Sequence, residues 1–229
     1  MISILIPIYN GIEFFEECLN SILNQTYNDW ELIIGINGYQ LNSNVELLAK
    51  EIVYKYNSDN KYKIFVNYYD TNGKANTLNK MVKDSNYNFI AILDVDDFWL
   101  PKKLEEQIPY LNYYDVIGTD CCYFGDYIGS PDIPMGDLRN FDFFIVNPMI
   151  CSSVIIKKEF AKWNDIFGVE DYDLWLKLFC NKKLFYNVNK KLCMHRVHKE
   201  NFYNSTNEQE NNLKEILKKW RYIYNELRF

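Results

Sequence analysis

Short apolar segments alternate with amphipathic ones through roughly the first hundred residues, and this alternation constrains the fold more than any other feature of the sequence. Apolar runs of this length, rich in β-branched residues, predict strands that are buried on both faces. The predicted strands are Ile2–Tyr9, Trp30–Ile36, Lys63–Tyr68 and Asn88–Leu93. The helices predicted between them end near Gln25, cover Asn44–Tyr56 and cover Lys74–Lys83. This order predicts an α/β fold with a Rossmann-like, mainly parallel sheet and helices on both faces.

The second half of the chain is predicted to be mixed and rich in loops. Pro101 is tolerated in the first turn of a helix, which we expect to continue to about Asn112. Gly125–Arg139 is rich in Gly, Pro and Asp and is predicted to be a loop. The other predicted elements are strands at Val116–Tyr123, Cys151–Ile156, Lys183–Val188 and Leu192–Val197, and a helix at Val169–Phe179.

The last predicted helix, Asn207–Phe229, is charged and amphipathic. Its apolar stripe consists of Leu213, Ile216, Leu217, Trp220, Ile223, Tyr224 and Leu227. Such a stripe favours a helix that packs back on its own domain over one that binds a partner or a membrane. We therefore predict one domain over residues 1–205, with the helix of residues 206–229 packed on it.

Charge and cysteine content exclude several classes of protein. A net charge of -6 disfavours binding to a nucleic acid, which usually needs a basic face. The six cysteines form no C-x-x-C pair, so a zinc knuckle is disfavoured and free thiols in a reducing compartment are expected. We find neither a signal peptide pattern nor an apolar run of about 18–20 residues that would span a bilayer. The sequence thus predicts a cytoplasmic protein and leaves open a peripheral contact with a membrane.

Three carboxylates crowd the end of the fourth predicted strand, at Asp94, Asp96 and Asp97. In open α/β sheets, ligands bind outside the carboxyl ends of the strands. Close like charges are unfavourable unless something neutralises them, and Mg²⁺ or Mn²⁺ with oxygen ligands would do so. The alternative is a solvated acidic turn that precedes the helix at Pro101. The position after a buried strand favours the metal site.

Several segments resemble the family 2 inverting glycosyltransferases, which have the GT-A fold. In chain order these are Ser3–Tyr27, Asn72–Asn79, Ala91–Leu104 with its D-x-D, and Val169–Leu178, and a fifth is Arg196–His198. Each segment alone is moderately specific, but their order and spacing make chance agreement improbable. The resemblance spans about residues 2–200 and implies a GT-A-like single domain whose second half binds the acceptor.

On the donor side, the resemblance implies a role for four residues. Pro7 and Tyr9 would line the nucleoside pocket, Lys74 would approach the base or the phosphates, and Asp94 would lie near the ribose. One position departs from the family, because Ile36 stands where an aspartate is expected to accept a hydrogen bond from the nucleobase. The neighbouring Asn37 is the nearest polar substitute, with an amide that both donates and accepts.

For metal binding and catalysis, the resemblance implies that Asp96 is the main protein ligand and that His198 adds a contact to the metal or the diphosphate. Asp171 would be the catalytic base, and Glu170 beside it would organise the acceptor. On spacing alone, these two acids and Asp173 are typical of a helix start, where the helix dipole favours them. The resemblance favours the base assignment for Asp171 and leaves Asp173 a helix-start acid.

The sequence therefore predicts an inverting glycosyltransferase that uses Mn²⁺ or Mg²⁺. The expected donor is a nucleotide-diphosphate sugar, with a UDP-sugar favoured, and the acceptor is a hydroxyl of a glycan, a lipid-linked sugar or a protein. The alternative is a non-catalytic glycan- or protein-binding module of the same fold. A nucleotidyltransferase is disfavoured, because Pro7–Gly11 contains no Gly-rich, basic phosphate loop.

Overall fold

A computed structural model describes residues 1–198 and 206–227, where the strands form one mixed sheet with helices on both sides. The strands are β1 (Ile2–Ile8), β2 (Trp30–Asn37), β3 (Lys63–Tyr69), β4 (Phe89–Ile92), β5 (Phe98–Trp99), β6 (Val116–Gly125), β7 (Gly136–Asp137), β8 (Ile155–Lys157) and β9 (Phe185–Val197). The helices are α1 (Phe15–Leu23), α2 (Asn44–Tyr56), α3 (Lys74–Asp84), α4 (Lys103–Gln107), α5 (Glu170–Cys180) and α6 (Asn207–Glu226).

The sheet has a parallel core, and antiparallel strands complete it. Its strand order is β3-β2-β1-β4-β8-β6-β9-β5, and β7 pairs with β9. β1 runs parallel to both β2 and β4, β2 runs parallel to β3, and β6 runs parallel to β9. β8 joins the two parallel groups by pairing antiparallel with β4 and β6. The predicted α/β class is confirmed, and the carboxyl ends of β1, β2 and β4 meet at one edge.

Helices cover both faces of this sheet, which explains why the central strands are predominantly apolar on both faces. All seven residues of β1 are buried. Ile4 and Ile6 pack on one face with Leu19 of α1, and Leu5 packs on the other with Leu78 of α3. Successive side chains of a strand point to opposite faces, so a strand between two helical layers needs an apolar residue at each step.

Two predicted helix and strand boundaries differ from the structure in the second half. α4 is only Lys103–Gln107 and is followed by a 3₁₀ turn at Ile108–Tyr110. Pro109 explains the early end, because proline lacks the amide hydrogen that a continuing helix needs. The strand predicted at Cys151–Ile156 begins instead as a 3₁₀ turn at Cys151–Ser153 and continues as β8.

The last two predicted strands are one continuous strand, β9. Its polar middle, which indicated a break in the sequence, lies where the register of β6 against β9 shifts on either side of Asp120. A β-bulge of this kind accommodates extra residues without ending the strand. The continuous strand matters for the site, because it carries His195 and Arg196 to the acidic edge of the sheet.

α6 lies against α5, and its Ile216 and Trp220 are buried in the same core as Trp175. The predicted domain boundary lies between residues 205 and 206, and residue 205 and Phe229 both lie outside the described ranges. The division into two units therefore stays a prediction. Among the described residues, no helix combines the length and the apolar character needed to cross a membrane.

Candidate active site

The acidic segment lies at the edge where the parallel strands end. β4 ends at Ile92, and the backbone N–H of Leu93 still donates to the carbonyl of Leu5 in β1. The chain then turns, with the N–H of Asp97 donating to the carbonyl of Asp94 at 3.1 Å. The turn that carries these carboxylates therefore lies at the carboxyl end of the strands, where a ligand site was predicted.

Lys74 and Asp94 form the first pair at this edge. Lys74 is the first residue of α3 and follows Gly73, whose φ of 84° lies in the left-handed region that favours glycine. Its Nζ lies 2.5 Å from Oδ1 of Asp94 and 3.9 Å from Sγ of Cys151. Burial opposes the charge on Lys74, but Asp94, Cys151 and Asp171 raise its pKa well above the ordinary value. The site therefore holds a permanent cation at neutral pH.

The 3₁₀ turn before β8 fixes the backbone next to this pair. The N–H of Asp94 donates to Oγ of Ser152 at 3.2 Å, and Nε1 of Trp99 donates to the carbonyl of Ser152 at 2.6 Å. Ser152 and Trp99 are buried. The ring of Trp99 lies in the core, where its hydrogen bond holds the turn.

Asp96 and His198 form the second pair. Nε2 of His198 lies 3.1 Å from Oδ2 of Asp96. Burial and the neighbouring charges of Asp97 and Asp94 raise the pKa of Asp96, while His198 opposes that rise. A bound cation would relieve this repulsion, and a carboxylate beside an imidazole is a donor set that Mn²⁺ accepts. Within the described ranges, no group of three or more His, Cys, Asp or Glu side chains forms a metal site. The residue types of this pair would suit a divalent cation, to which the pair could supply two ligands.

Asp97 has a different function from its neighbours, which the sequence did not reveal. It is 1% exposed and accepts hydrogen bonds from the N–H of Arg196 at 2.8 Å and from Nδ1 of His195 at 2.9 Å. Burial alone would lower the pKa of His195, but contact with Asp97 raises it to about 9. A protonated His195 therefore neutralises Asp97, which ties β9 to the acidic turn.

Arg196 completes this connection. Its Nε donates to the carbonyl of Asp96 at 2.9 Å, and its guanidinium pairs with Glu17. The guanidinium also lies between the rings of Phe14 and Phe124, 4.5 and 4.4 Å from their centroids. These contacts hold the backbone of the proposed metal ligand. The sequence did contain a signal for this connection. His195 and Arg196 are adjacent in a predicted strand and lie shortly before His198, the only other histidine.

Asp171 and Glu170 lie in the first turn of α5, as predicted. The N–H of Tyr172 donates to Oδ1 of Asp171 at 2.7 Å. Burial raises the pKa of Asp171, and the charge of Lys74 opposes that rise. Burial also raises the pKa of Glu170, and the charge of Lys74 opposes that rise as well. A carboxylate with a raised pKa is a better proton acceptor than an ordinary aspartate, and it lies within the field of the donor-side lysine.

The predicted nucleoside residues lie at the ends of β1 and β2. Pro7 is buried in β1, and Tyr9 is 53% exposed just beyond it. A Cβ on Gly38 would lie 2.3 Å from the ring of Tyr9, so the ring packs directly on this backbone. The ring of Tyr39 lies 6.3 Å from that of Tyr9. Asn37 is 1% exposed, and its Nδ2 has no hydrogen-bond partner among the described residues.

The structure thus brings the predicted residues together in three groups along one edge. Lys74 and Asp94 are in contact, and the charge of Lys74 acts on Asp171 and Glu170. The other groups are Asp96 with His198, and Tyr9 with the turn after Asn37. No contact within the described residues joins Asp171 to Asp96.

Comparison with known proteins agrees with this geometry. The profile of the family described as Glycosyl transferase family 2 matches residues 3–166. The chain is 30% identical over 211 residues to the O-antigen biosynthesis glycosyltransferase WbnJ of Escherichia coli, an alignment that covers 86% of this chain and 80% of that protein.

Two solved structures show the same fold. The structure of S. aureus TarS residues 1–349 in complex with UDP-GlcNAc superposes with a TM-score of 0.75 at 16% identity, covering 99% of this chain and 71% of that one. The mannosyltransferase PcManGT from Pyrobaculum calidifontis, in complex with GDP-Man and Mn²⁺, has a TM-score of 0.66 at 14% identity and covers 88% of this chain and 58% of its own. The fold is therefore the GT-A-like fold that the sequence indicated.

Proposed function

The chain belongs to glycosyl transferase family 2, and we propose that it transfers a sugar, with inversion, from a UDP-sugar to an acceptor hydroxyl with the help of a divalent cation. That the chain is a glycosyltransferase follows from its family. The donor nucleotide, the stereochemical outcome, the metal and the roles of the site residues are the proposal.

The observation that carries this proposal is the position of Lys74 between the two halves of the site. Its Nζ lies 2.5 Å from Asp94 on the donor side, and its charge acts on the half-buried Asp171 on the acceptor side. A permanent cation at this point suits a diphosphate that gains negative charge as it leaves. The same cation keeps the pKa of Asp171 below the value that burial alone would give.

Asp171 is proposed to act as the general base. The acceptor oxygen would attack the anomeric carbon, its proton would pass to the carboxylate of Asp171, and the bond between that carbon and the diphosphate would break. A single displacement of this kind inverts the configuration. Proton removal by a positioned carboxylate typically contributes about 10²–10⁴-fold to the rate. Glu170, next in the same helical turn, is proposed to orient the acceptor hydroxyl.

Asp96 and His198 are proposed to hold Mn²⁺ or Mg²⁺. When bound, the cation would stabilise the negative charge on the leaving diphosphate. The close pairing of the two side chains and the repulsion among Asp94, Asp96 and Asp97 support this assignment. The Mn²⁺ in the complex of the Pyrobaculum mannosyltransferase, which has the same fold, supports the choice of metal.

The donor is proposed to bind with its base beside Tyr9 and Asn37, and its ribose near Asp94. The exposed ring of Tyr9 offers a surface on which a base can stack. The buried Nδ2 of Asn37 offers a donor for a base carbonyl. UDP-GlcNAc in the complex of S. aureus TarS supports the choice of a UDP-sugar. The acceptor is proposed to be a hydroxyl of a glycan, a lipid-linked sugar or a protein.

The cytoplasm is the proposed location. All six cysteines are free, including the buried Cys18, Cys121, Cys180 and Cys193. Unpaired thiols of this number are typical of a reducing compartment.

The test is a calorimetric titration of the purified protein with UDP, GDP and CDP, each with and without Mn²⁺. We expect UDP to bind most tightly, with Mn²⁺ required, and Asp96→Ala to abolish this metal-dependent binding. Asp59→Ala, an exposed acid in a turn, is the matched control and should bind as the wild type does. Tightest binding of GDP or CDP would refute the choice of donor. Binding without any effect of metal would refute the metal assignment.

A further inference from the structure

A second cleft lies at the opposite end of the sheet from the proposed active site. Its walls are formed by Tyr110, Tyr113, Tyr114, Asp137, Arg139 and Leu184, and its volume is about 440 Å³. We call it the tyrosine cleft. Val116 of β6 pairs with Phe185 of β9 beside this cleft, whereas Tyr123 pairs with His195 next to the acidic turn. At about 3.3 Å per residue, the two sites lie roughly 20 Å or more apart along β6.

The aromatic wall of the tyrosine cleft is held in place by its own stacking. The rings of Tyr110 and Tyr186 stack with centroids 4.1 Å apart and an angle of 19°, and Tyr114 lies 4.9 Å from Tyr186. The hydroxyl of Tyr186 also donates to that of Tyr110 at 3.3 Å. Tyr113 projects beyond this stack and is 70% exposed. Rigid rings of this kind bind a ligand surface with little loss of conformational entropy.

The polar wall is an ion pair with no net charge. Nη2 of Arg139 lies 2.6 Å from Oδ2 of Asp137, and its Nε lies 2.9 Å from the same oxygen. The hydroxyl of Tyr114 donates to that oxygen at 2.9 Å. The hydrogen bond from Arg139 lowers the pKa of Asp137 to about 2, so the pair stays ionised at any physiological pH. The guanidinium has five N–H donors, and Asp137 contacts only one side of it.

We propose that the tyrosine cleft binds a neutral oligosaccharide. The C–H face of a pyranose packs on an exposed aromatic ring such as that of Tyr113, and sugar hydroxyls both donate to a carboxylate and accept from a guanidinium. A charge-neutral pair of Arg139 and Asp137 does not favour a phosphate or a nucleotide over an uncharged sugar. The volume is in the range of small-ligand pockets.

A glycosyltransferase has a use for such a site. A cleft on the far side of the sheet would hold a part of the acceptor chain that is remote from the reacting hydroxyl, and it would raise the local concentration of long acceptors. This inference requires a glycan acceptor but no particular donor, metal or base. Its failure therefore leaves the proposed chemistry at Asp96 and Asp171 unaffected.

The experiment uses the ¹⁵N-labelled full chain and two-dimensional NMR. Neutral oligosaccharides of glucose, galactose, mannose and N-acetylglucosamine, each from two to six residues, serve as probes, and a proline-rich decapeptide is the protein-type probe. We expect at least one oligosaccharide to shift the resonances of Tyr113, Asp137 and Leu184, with affinity that rises with chain length. Tyr113→Ala and Arg139→Ala should each weaken that affinity about tenfold or more.

Tyr54→Ala is the matched control, because Tyr54 is 73% exposed on α2 and lies outside the cleft. It should bind the oligosaccharide as the wild type does, and UDP binding should be equal in all the variants. Three results would overturn the proposal. They are an absence of cleft shifts with every oligosaccharide, an equal loss of binding in Tyr54→Ala, and cleft shifts produced by the peptide alone.

Discussion

The indole Nε1 of Trp220 donates a 2.6 Å hydrogen bond to the carboxylate of Asp173, joining the last helix to the helix that carries the proposed base. Asp173 is fully buried and also accepts from Nδ2 of Asn164 at 2.7 Å, with Nζ of Lys219 3.6 Å away. The sequence predicted Asp173 to be an ordinary helix-start acid. It is instead the polar anchor between α5 and α6, two residues after Asp171.

This anchor makes a prediction for stability. Asp173→Ala would leave the buried indole donor of Trp220 without its acceptor and would also remove the hydrogen bond from the exposed Asn164, so we expect it to lower the free energy of unfolding by about 1–3 kcal/mol. Trp220→Phe keeps most of the apolar burial and removes one donor together with part of the indole, so about 1–3 kcal/mol is expected. Urea denaturation followed by circular dichroism measures both.

The control for the anchor is Lys219→Met, which removes the more distant cation and should change the unfolding free energy by less than about 1 kcal/mol. If Asp173→Ala were as stable as the wild type, the anchor would have no energetic significance.

A second prediction concerns the proposed base. Asp171→Asn should reduce kcat about 10²–10⁴-fold, because the amide cannot take the proton, while UDP affinity stays within about twofold. Steady-state kinetics and calorimetry separate these two effects. Asp59→Asn, at an exposed turn, is the control and should retain full activity. Transfer by Asp171→Asn at the rate of the wild type would remove Asp171 from the mechanism.

Asp171→Asn, which should reduce activity, is expected to increase the stability of the fold. Burial raises the pKa of Asp171 in the folded chain above that of the unfolded chain. The ionised group therefore destabilises the fold at neutral pH, and this cost disappears as the pH falls below the folded pKa. Asp171→Asn should accordingly be more stable than the wild type at pH 7, as urea denaturation would measure. An inactive but stabilised variant would be a signature that unfolding alone cannot produce.

Lys74 gives a prediction for the pH profile. Its charge lowers the pKa of Asp171 against the effect of burial. Activity requires the ionised base and is lost as the pH falls through that pKa. Lys74→Met should therefore move the acid limb of kcat/KM to higher pH, in addition to reducing its maximum. Lys80→Met, on the exposed side of the same helix, should leave the limb unchanged. An unmoved limb in Lys74→Met would show that Lys74 and Asp171 are not coupled.

The sequence predicted the parallel core well because the rule for it is local. Each buried strand is a continuous apolar run, so Ile2–Ile8 and Trp30–Asn37 could be located within one residue. The boundaries that failed depend on contacts far along the chain. The middle of β9 is polar and becomes a bulge only because β6 lies beside it, and the 3₁₀ turn at Cys151–Ser153 is held by Trp99.

The sequence predicted the chemistry of the proposed site, which stays a prediction, but not the contacts among its residues. Resemblance to a family located Asp96, Asp171 and Lys74, whose residue types fit a diphosphate and a base. It did not distinguish the neighbouring Asp97, which is a buried structural acid held by His195 and the backbone of Arg196. Whether a carboxylate faces the ligand or the core depends on its tertiary partners, about which three adjacent acids in a sequence carry no information.

Asn37 gives a prediction about nucleotide recognition. Its buried Nδ2 has no hydrogen-bond partner among the described residues, a state that normally costs about 1–3 kcal/mol. If the uracil base supplies the missing acceptor, Asn37→Ala should weaken UDP binding about tenfold or more. It should change the unfolding free energy of the nucleotide-free protein by less than about 1 kcal/mol. Asn28→Ala, in an exposed loop, is the control for both measurements.

A large loss of stability in Asn37→Ala with unchanged UDP affinity would make Asn37 a structural residue. Equal affinity for UDP in the variant and the wild type would also show that a residue other than Asn37 takes the place of the aspartate that is expected where Ile36 stands.

The last prediction concerns a lysine that the proposed mechanism does not use. Lys103 is 0% exposed, and its Nζ donates to Oε1 of Gln107 at 2.7 Å and lies 3.9 Å from the centroid of the Trp99 ring. Burial lowers its pKa to about 7, an effect that the nearby Cys193 partly opposes. Between about pH 7 and the ordinary lysine pKa near 10.4, the unfolded chain therefore still binds a proton that the folded chain has released. Stability must rise with pH across this window.

Lys103→Met removes the titrating group and fills a similar volume, so it should flatten the rise in unfolding free energy between pH 7 and pH 9.5. It should also be at least as stable as the wild type at pH 7, because no charge is then buried. Lys102→Met, at the exposed neighbouring position, should keep the slope of the wild type. Urea denaturation at a series of pH values measures the slope. An identical slope in Lys103→Met and the wild type would mean that Lys103 stays protonated in the core, held there by Gln107 and the face of Trp99.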